Sequence, residues 1–160
     1  FFDFADNGLA LVKVDGLYGY INRNWEIVIE PKFYRANSFT SDGLAAVKLS
    51  WKSAWGYIDA IGKYSISPQF TEASDFKSGV AVVHTFSLCG FMDKTGKILM
   101  PAQFNSCTLS GDGFLTVSKL VDGVMLYGFL NTNLQYVVPI SLSEISDKYE
   151  SDYDIIVPCM

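Results

Sequence analysis

The sequence predicts an all-β fold, built as a tandem array of about four antiparallel three-stranded repeats of roughly 35 residues. Three observations predict this fold. A glycine-led apolar segment recurs four times, a second glycine among aromatic or apolar residues follows each segment, and a turn of fixed length follows that second glycine. The pattern leaves open whether the repeats form an open, twisted array or a propeller-like ring.

The first strand of each repeat begins just after a glycine. The four segments are GLALVKV at Gly8, GLAAVKL at Gly43, GVAVVHT at Gly79 and GFLTVSK at Gly113, spaced by 35, 36 and 34 residues. Apolar residues alternate along them with the two-residue period of a strand. Polar residues recur five positions after each glycine, which predicts that the strand leaves toward solvent there: Lys13, Lys48, His84 and Ser118.

The second strand carries the second glycine, in the segments YGYIN, WGYID, CGFMD and YGFLN. An apolar residue stands fourteen positions after that glycine in every repeat, at Phe33, Phe70, Phe104 and Leu142. Aromatic residues that recur at equivalent positions are expected in the core, namely Tyr20, Tyr57 and Phe91 together with Phe33, Phe70 and Phe104.

A turn of constant length joins the second strand to the third. It reads DAIG and DKTG in the middle repeats, so Gly62 and Gly96 are predicted to have positive φ in a type I turn with a bulge. The outer repeats use Asn22-Arg23-Asn24 and Asn131-Thr132-Asn133, where asparagine is expected to supply the left-handed backbone. A proline follows in each third strand and predicts a strand end or edge: Pro31, Pro68, Pro101 and Pro139.

The connection between the first and second strands varies instead. The two glycines of a repeat are 11, 13, 11 and 15 residues apart, and the longer loops contain Ser50-Trp51-Lys52-Ser53 and Leu120-Val121-Asp122-Gly123. Insertions in repeat arrays gather on one face, which is often the binding face. The candidate partner-binding residues are therefore Asp15, Trp51, Phe86 and Val121, together with Trp25, which replaces the glycine of the constant turn. The alternatives are that the insertions are tolerated surface loops and that both tryptophans fold onto neighbouring repeats.

The repeat resembles the WG-repeat family of bacterial proteins, also called KWG repeats. The resemblance lies in AWGYIDAIGKYSISPQF, in CGFMDKTGKILMPAQF and in FTSDGLAAVKL, and it covers residues 4 to 142. Only Trp55-Gly56 keeps the literal Trp-Gly pair. The resemblance implies a repetitive β-rich architecture with a scaffolding or recognition role, and no catalytic motif. The expected repeats are 4–38, 39–75, 76–108 and 109–142, followed by an acidic extension or the start of another unit at 143–160.

Composition excludes several classes of function. With 49% apolar and 18% charged residues the chain is not disordered, and a net charge of −5 without a basic cluster argues against nucleic-acid binding. His84 is the only histidine, and the three cysteines, Cys89, Cys107 and Cys159, contain no CxxC pair. We therefore expect no structural metal, no cofactor, no disulfide framework and no His-dependent catalysis. The acidic residues after position 143 lack the order of a calcium loop.

The expected function is a non-catalytic module for protein–protein interaction or scaffolding. A glycan-binding or cell-envelope structural module is the alternative. No apolar run approaches the length of a membrane-spanning helix. The chain starts within a repeat, so we expect it to be an excised fragment, whose first residues carry no information on compartment.

Overall fold

The computed structural model describes residues 3–110, 114–131 and 133–142, and these form an all-β protein without a helix. Fifteen strands make up four antiparallel sheets. Sheet 1 contains β1 (Ala10–Val14), β2 (Leu17–Ile21) and β3 (Ile27–Phe33). Sheet 2 contains β4 (Arg35–Ala36), β5 (Ala45–Lys48), β6 (Trp55–Ile58) and β7 (Tyr64–Phe70). Sheet 3 contains β8 (Glu72–Ala73), β9 (Val80–Thr85), β10 (Leu88–Asp93) and β11 (Ile98–Phe104). Sheet 4 contains β12 (Ser106–Leu109), β13 (Leu115–Val121), β14 (Val124–Leu130) and β15 (Tyr136–Leu142).

Three of the sheets have a short fourth strand that the three-stranded expectation did not include. The short strands are β4, β8 and β12. Each begins after a single intervening residue that follows the last strand of the preceding sheet, and each pairs with the first long strand of its own sheet. Ala36 faces Val47, Ala73 faces Val83 and Cys107 faces Val117 in these ladders. Ala36, Ala73 and Cys107, each three positions after the recurring phenylalanine of the third strand, therefore lie in the short strands that connect one sheet to the next.

The second glycine and the proline of each repeat belong to one β-bulge. In sheet 1, Tyr18 faces Phe33 and Tyr20 faces Ile29, so Gly19 alone lies opposite three residues centred on Pro31. A Cβ on Gly19 would lie 2.5 Å from the carbonyl oxygen of Ile29, which only glycine avoids. The prolines lie inside the third strand rather than at its end, because the bulge on this edge strand needs no ladder N–H at that point.

The constant turn uses a side-chain acceptor and a left-handed residue three positions later. The Oδ1 atom of Asp59 accepts hydrogen bonds from the N–H groups of Ile61 (3.1 Å) and Lys63 (2.9 Å). Gly62 (φ 80°) and Gly96 (φ 88°) have positive φ, as predicted.

In the outer repeats the expectation for asparagine was wrong. Asn22 and Asn131 take the place of the aspartate as side-chain acceptors. The left-handed residues are Trp25 (φ 66°) and Leu134 (φ 60°), because the residue three positions after the acceptor has to close the turn whatever its side chain.

The core lies between consecutive sheets rather than within each repeat. One buried cluster joins Tyr20, Ile29 and Phe33 of sheet 1 to residues of sheet 2, and two further clusters join sheets 2 and 3 and sheets 3 and 4. All six recurring aromatic residues predicted for the core are buried. Each repeat is thus stabilised mainly by its neighbours, as in other repeat proteins.

Two tyrosine hydroxyls are part of these interfaces. Tyr20 donates to the carbonyl oxygen of Asn37 (2.7 Å), and Tyr57 donates to that of Ser74 (2.8 Å). Burial raises the pKa of both tyrosines far above the ordinary value, and the carboxylate of Asp75 raises it further. Both phenols therefore stay protonated donors, and each ties one sheet to the segment that begins the next.

Two expectations about polar residues and cysteines were wrong. Ser118 is only 4% exposed, because β13 is longer than its counterparts and this position lies inside the sheet rather than at an exit to solvent. Cys89 and Cys107 form a disulfide between β10 of sheet 3 and β12 of sheet 4, with their Cα atoms 6.0 Å apart. Their partnership arises because the two strands pack across the interface between sheets, which their spacing in the sequence does not reveal.

Candidate functional site

Four hairpins of equivalent position end at what we call the tip edge. It comprises the connections β1–β2, β5–β6, β9–β10 and β13–β14 together with the last residues of the strands they join. The strands are equivalent in consecutive sheets, so the four connections lie at the same end of the array. Of the sequence-predicted candidates, Asp15, Trp51, Phe86 and Val121 lie on this edge, and all four are exposed.

The tip edge varies in two different ways. In sheet 2 the strands are short and residues 49–54 form a true six-residue loop. In sheet 4 the extra residues lengthen β13 and β14, and only Asp122 and Gly123 remain in the turn. Leu120 and Val121 are therefore strand residues and not part of a longer loop, which corrects the loop predicted there. That hairpin projects as a longer paired arm.

The loop of sheet 2 holds Trp51 at its tip by a clasp of two serines. The backbone N–H of Ser50 donates to Oγ of Ser53 (2.8 Å), and the N–H of Ser53 donates to Oγ of Ser50 (3.1 Å). Trp51 is 69% exposed, and Nζ of Lys52 lies 4.8 Å from the centroid of its ring. The indole is thus presented to solvent on a closed turn with a cation beside it.

Phe86 is the most exposed large apolar residue of the described part of the chain, at 85%. It has a positive φ of 57°, a conformation that is uncommon for a bulky side chain. Its carbonyl oxygen accepts a hydrogen bond from Oγ1 of Thr71 (3.3 Å), which fixes the tight turn to the end of the preceding sheet.

The tip edge also carries aliphatic side chains, in sheets 1, 2 and 4. Those exposed are Val14, Leu17, Leu49, Leu120, Val121 and Val124. The polar residues of the turns, such as Asp15, Ser87 and Asp122, stand between them. The edge therefore presents apolar groups from all four sheets with polar groups interleaved.

Trp25 does not join this group. It lies in the β2–β3 turn, at the other end of the strands, and is 65% exposed. Its ring contacts that of Phe4 edge-on, with centroids 6.4 Å apart, and the Arg23 guanidinium lies 5.0 Å from the Phe4 ring centroid. The structure thus separates this candidate from the other four.

A cavity that sequence reasoning missed lies between sheets 3 and 4, with a volume of about 430 Å³. Its polar lining side chains are Glu72, Ser74, Asp75, Lys77, His84 and Thr108. Glu72 and His84 face each other as a cross-strand pair of β8 and β9. The sequence signal for this cavity is His84, which stands where the first two repeats have Lys13 and Lys48. A polar residue at that position predicts exposure to solvent and does not by itself indicate a cavity.

Within residues 3–110, 114–131 and 133–142, no group of three or more His, Cys, Asp or Glu side chains is arranged to hold a metal ion. In the same part of the chain no helix has the length and hydropathy to cross a bilayer. The acidic residues after position 143 and Cys159 lie outside the described residues.

The fold is similar to that of two solved structures. One is KlHsv2 with loop 6CD replaced by a Gly-Ser linker, at 10% identity and a TM-score of 0.52. The matched region covers 84% of this chain and 49% of the KlHsv2 chain. The other is Kluyveromyces lactis Hsv2, at 12% identity and a TM-score of 0.48. The matched region covers 82% of this chain and 45% of the Hsv2 chain. Hsv2 is a β-propeller protein, so the first likeness shows a propeller-like packing of sheets. The chain spans about half the length of these structures.

A comparison with curated protein sequences finds no match. The sequence model of the family described as "WG containing repeat" matches four times, at residues 1–18, 18–50, 55–83 and 90–119. These matches extend over more than half of the chain and agree with the repeated bulge of the second glycine and the proline. The chain belongs to the WG-repeat family.

Proposed function

We propose that this protein is a non-catalytic interaction module that binds another protein through the tip edge. The observation that carries the proposal is the exposure of large apolar side chains at the ends of all four equivalent hairpins, with Trp51 and Phe86 the most exposed. Exposed apolar groups that lie together on a soluble domain are typical of protein-binding surfaces. Tryptophan is also among the residues that contribute most to binding energy at interfaces.

The chemistry of the edge favours a protein over a glycan. Most of its exposed apolar groups are branched aliphatics, which pack against apolar side chains but offer a sugar neither a flat stacking face nor a hydrogen bond. Glycan recognition would need planar rings flanked by amides and carboxylates. Around Trp51 the neighbouring side chains are serines and a lysine, and the hydroxyls of Ser50 and Ser53 are used within the turn.

The charge of the chain adds one feature to the expected partner. The net charge is −5, and Asp15 and Asp122 stand at two of the tips. A partner surface with an apolar centre and lysine or arginine at its rim would complement this edge. Binding would then weaken modestly as salt is added, because exposed charge pairs are screened.

The proposal is tested by replacing Trp51 with alanine and comparing how much partner protein the variant and the unchanged protein capture. Ile61→Ala is the matched control, since Ile61 is 79% exposed but lies at the opposite edge. We expect Trp51→Ala to weaken capture by about tenfold or more, the loss typical of an interface hot spot, with an unchanged Tm. A large loss of Tm with capture intact at low temperature would instead assign Trp51 to packing.

A further inference from the structure

The cavity between sheets 3 and 4 opens where a bridge found at the preceding interface is missing. Between sheets 2 and 3, Nδ2 of Asn37 donates to Oδ1 of Asp75 (2.7 Å) and spans the gap. Asn37 is the residue after ladder position Ala36, and Asp75 is two residues after ladder position Ala73. At the next interface the corresponding residues are Ser74 and Leu109, which cannot form this bond. The hydroxyl of Ser74 is instead used locally, as acceptor for the N–H of Val82 (2.9 Å).

The aromatic filling of the interface is also missing there. Phe39 packs on Tyr20 and Phe76 packs on Tyr57, with ring centroids 4.7 and 4.8 Å apart. The corresponding segment of sheet 4, residues 105–110, contains no aromatic residue, and Phe91 replaces the tyrosine and its hydroxyl. Of this segment, only Cys107 and Leu109 are among the side chains that pack against the core between sheets 3 and 4. The cavity is thus a specific departure from the repeat, and its volume of about 430 Å³ lies in the usual range of ligand pockets.

The disulfide is confined to the same interface. Cys89 replaces the aromatic residue that precedes the second glycine in the other sheets. Cys107 stands where the two preceding sheets have Ala36 and Ala73. Cys107 lines the cavity, and its bond to Cys89 joins sheet 4 covalently to sheet 3. The two walls are therefore held together by a covalent link where the bridging hydrogen bond and the stacked rings are absent.

The lining combines carboxylates with an apolar wall. Glu72 and Asp75 contribute two negative charges, Lys77 contributes one positive charge, and the half-buried imidazole of His84 stands across from Glu72. Val82 and Leu109 supply aliphatic surface. An apolar wall beside carboxylates suits a group with an aliphatic stem and a cationic head, which is the build of a lysine or arginine side chain.

We propose that the cavity between sheets 3 and 4 binds an amine or guanidinium cation on a short aliphatic stem, with Glu72 and Asp75 receiving the head and Val82 and Leu109 packing on the stem. The cation comes either from a free small molecule or from a basic side chain of a partner protein. No lining residue of this cavity is among the exposed apolar residues of the tip edge, and its occupancy does not depend on the function proposed for that edge.

The single histidine provides a direct reporter. The full chain is titrated with agmatine, with a blocked tripeptide that carries one arginine and with glutarate, while the imidazole C–H signals of His84 are followed by NMR. We expect saturable shifts with both cations and none with the dianion. Agmatine binding at least as tightly as the peptide identifies a free compound as the source, and tighter binding of the peptide identifies a protein side chain; either result supports the cation site.

A charge-matched pair of variants tests the assignment of the carboxylate. Glu72→Gln and Asp122→Asn each remove one negative charge from an exposed position, but only Glu72 lines the cavity. We expect Glu72→Gln to weaken cation binding at least about tenfold, the effect of losing one hydrogen bond to a charged group, and Asp122→Asn to leave it unchanged. Equal effects of the two variants, a His84 shift with glutarate as large as with agmatine, or no shift with either cation would overturn the proposal.

Discussion

At the scale of single residues, the left-handed position of each constant turn shows how strictly the backbone limits the side chain. Two turns place glycine there, and the other two place Trp25 and Leu134 in the same region. A left-handed backbone costs an ordinary residue roughly 1–2 kcal/mol, so these two turns hold strain that the surrounding ladder maintains. The Asx acceptor, present in all four turns, is part of what holds that geometry.

Replacing Gly62 or Gly96 by valine tests this account of the turn. Each substitution is expected to lower the free energy of unfolding by about 1 kcal/mol or more, because a β-branched residue clashes at positive φ. The loss should be larger for Gly62, whose Cβ would lie 3.1 Å from Cγ2 of Ile29 in the preceding sheet, against 3.4 Å from Cγ1 of Ile66 for Gly96. Urea denaturation measures both losses, and unchanged midpoints for both variants would contradict this description of the turn.

At the scale of elements, the bulge explains why glycine and proline recur together in every repeat. In sheet 2, Gly56 lies opposite the residues centred on Pro68, and the chain approaches itself too closely for any side chain. The recurrence of both residues was readable from the sequence, but their pairing was not, because it depends on the register between two strands. The short strands β4, β8 and β12 were missed for the same reason, since two to four residues carry no periodic signal of their own.

A single methyl group at Gly56 tests the bulge. A Cβ there would lie 2.7 Å from the carbonyl oxygen of Ile66 and 2.8 Å from N of Pro68, both backbone atoms that cannot rotate away. We expect Gly56→Ala to lower the free energy of unfolding by about 1–3 kcal/mol, the usual cost of overpacking. Gly16→Ala is a useful comparison, because that glycine has positive φ but open space around its Cβ. A loss for Gly56→Ala no larger than for Gly16→Ala would show that close approach is not what requires Gly56.

At the scale of the whole molecule, consecutive sheets are held together by aromatic packing, by hydrogen bonds between linkers and, at one interface, by a disulfide. The all-β repeat architecture could be predicted from the spacing of glycines and aromatics, because aromatic side chains that recur at equivalent positions are expected to be buried in the core. The cavity and the disulfide did not follow, because both are departures from the repeat at one interface and depend on which strands face each other.

The disulfide between Cys89 and Cys107 is expected to stabilise the whole fold. Closing a loop of 18 residues is expected to stabilise the fold by about 3 kcal/mol relative to the reduced protein. A thiol titration under denaturing, non-reducing conditions should find two fewer free thiols than the same titration after reduction, because Cys89 and Cys107 are joined. Without reductant, the double variant Cys89→Ser, Cys107→Ser should have a lower urea midpoint of unfolding than the unchanged protein. Reductant should lower the midpoint of the unchanged protein but not that of the variant. The same number of free thiols with and without reduction, or equal stability of both proteins, would contradict the cross-link.

The central claim is that a partner protein contacts the tip edge, and site-specific photo-crosslinking tests it most directly. A photoreactive phenylalanine analogue is placed at position 86 on the tip edge or at position 61 on the opposite edge, both highly exposed in the described structure. The protein carrying either probe is irradiated with its captured partner. We predict a covalent adduct from position 86 and none from position 61, whereas an adduct from position 61 with none from position 86 would contradict the claim.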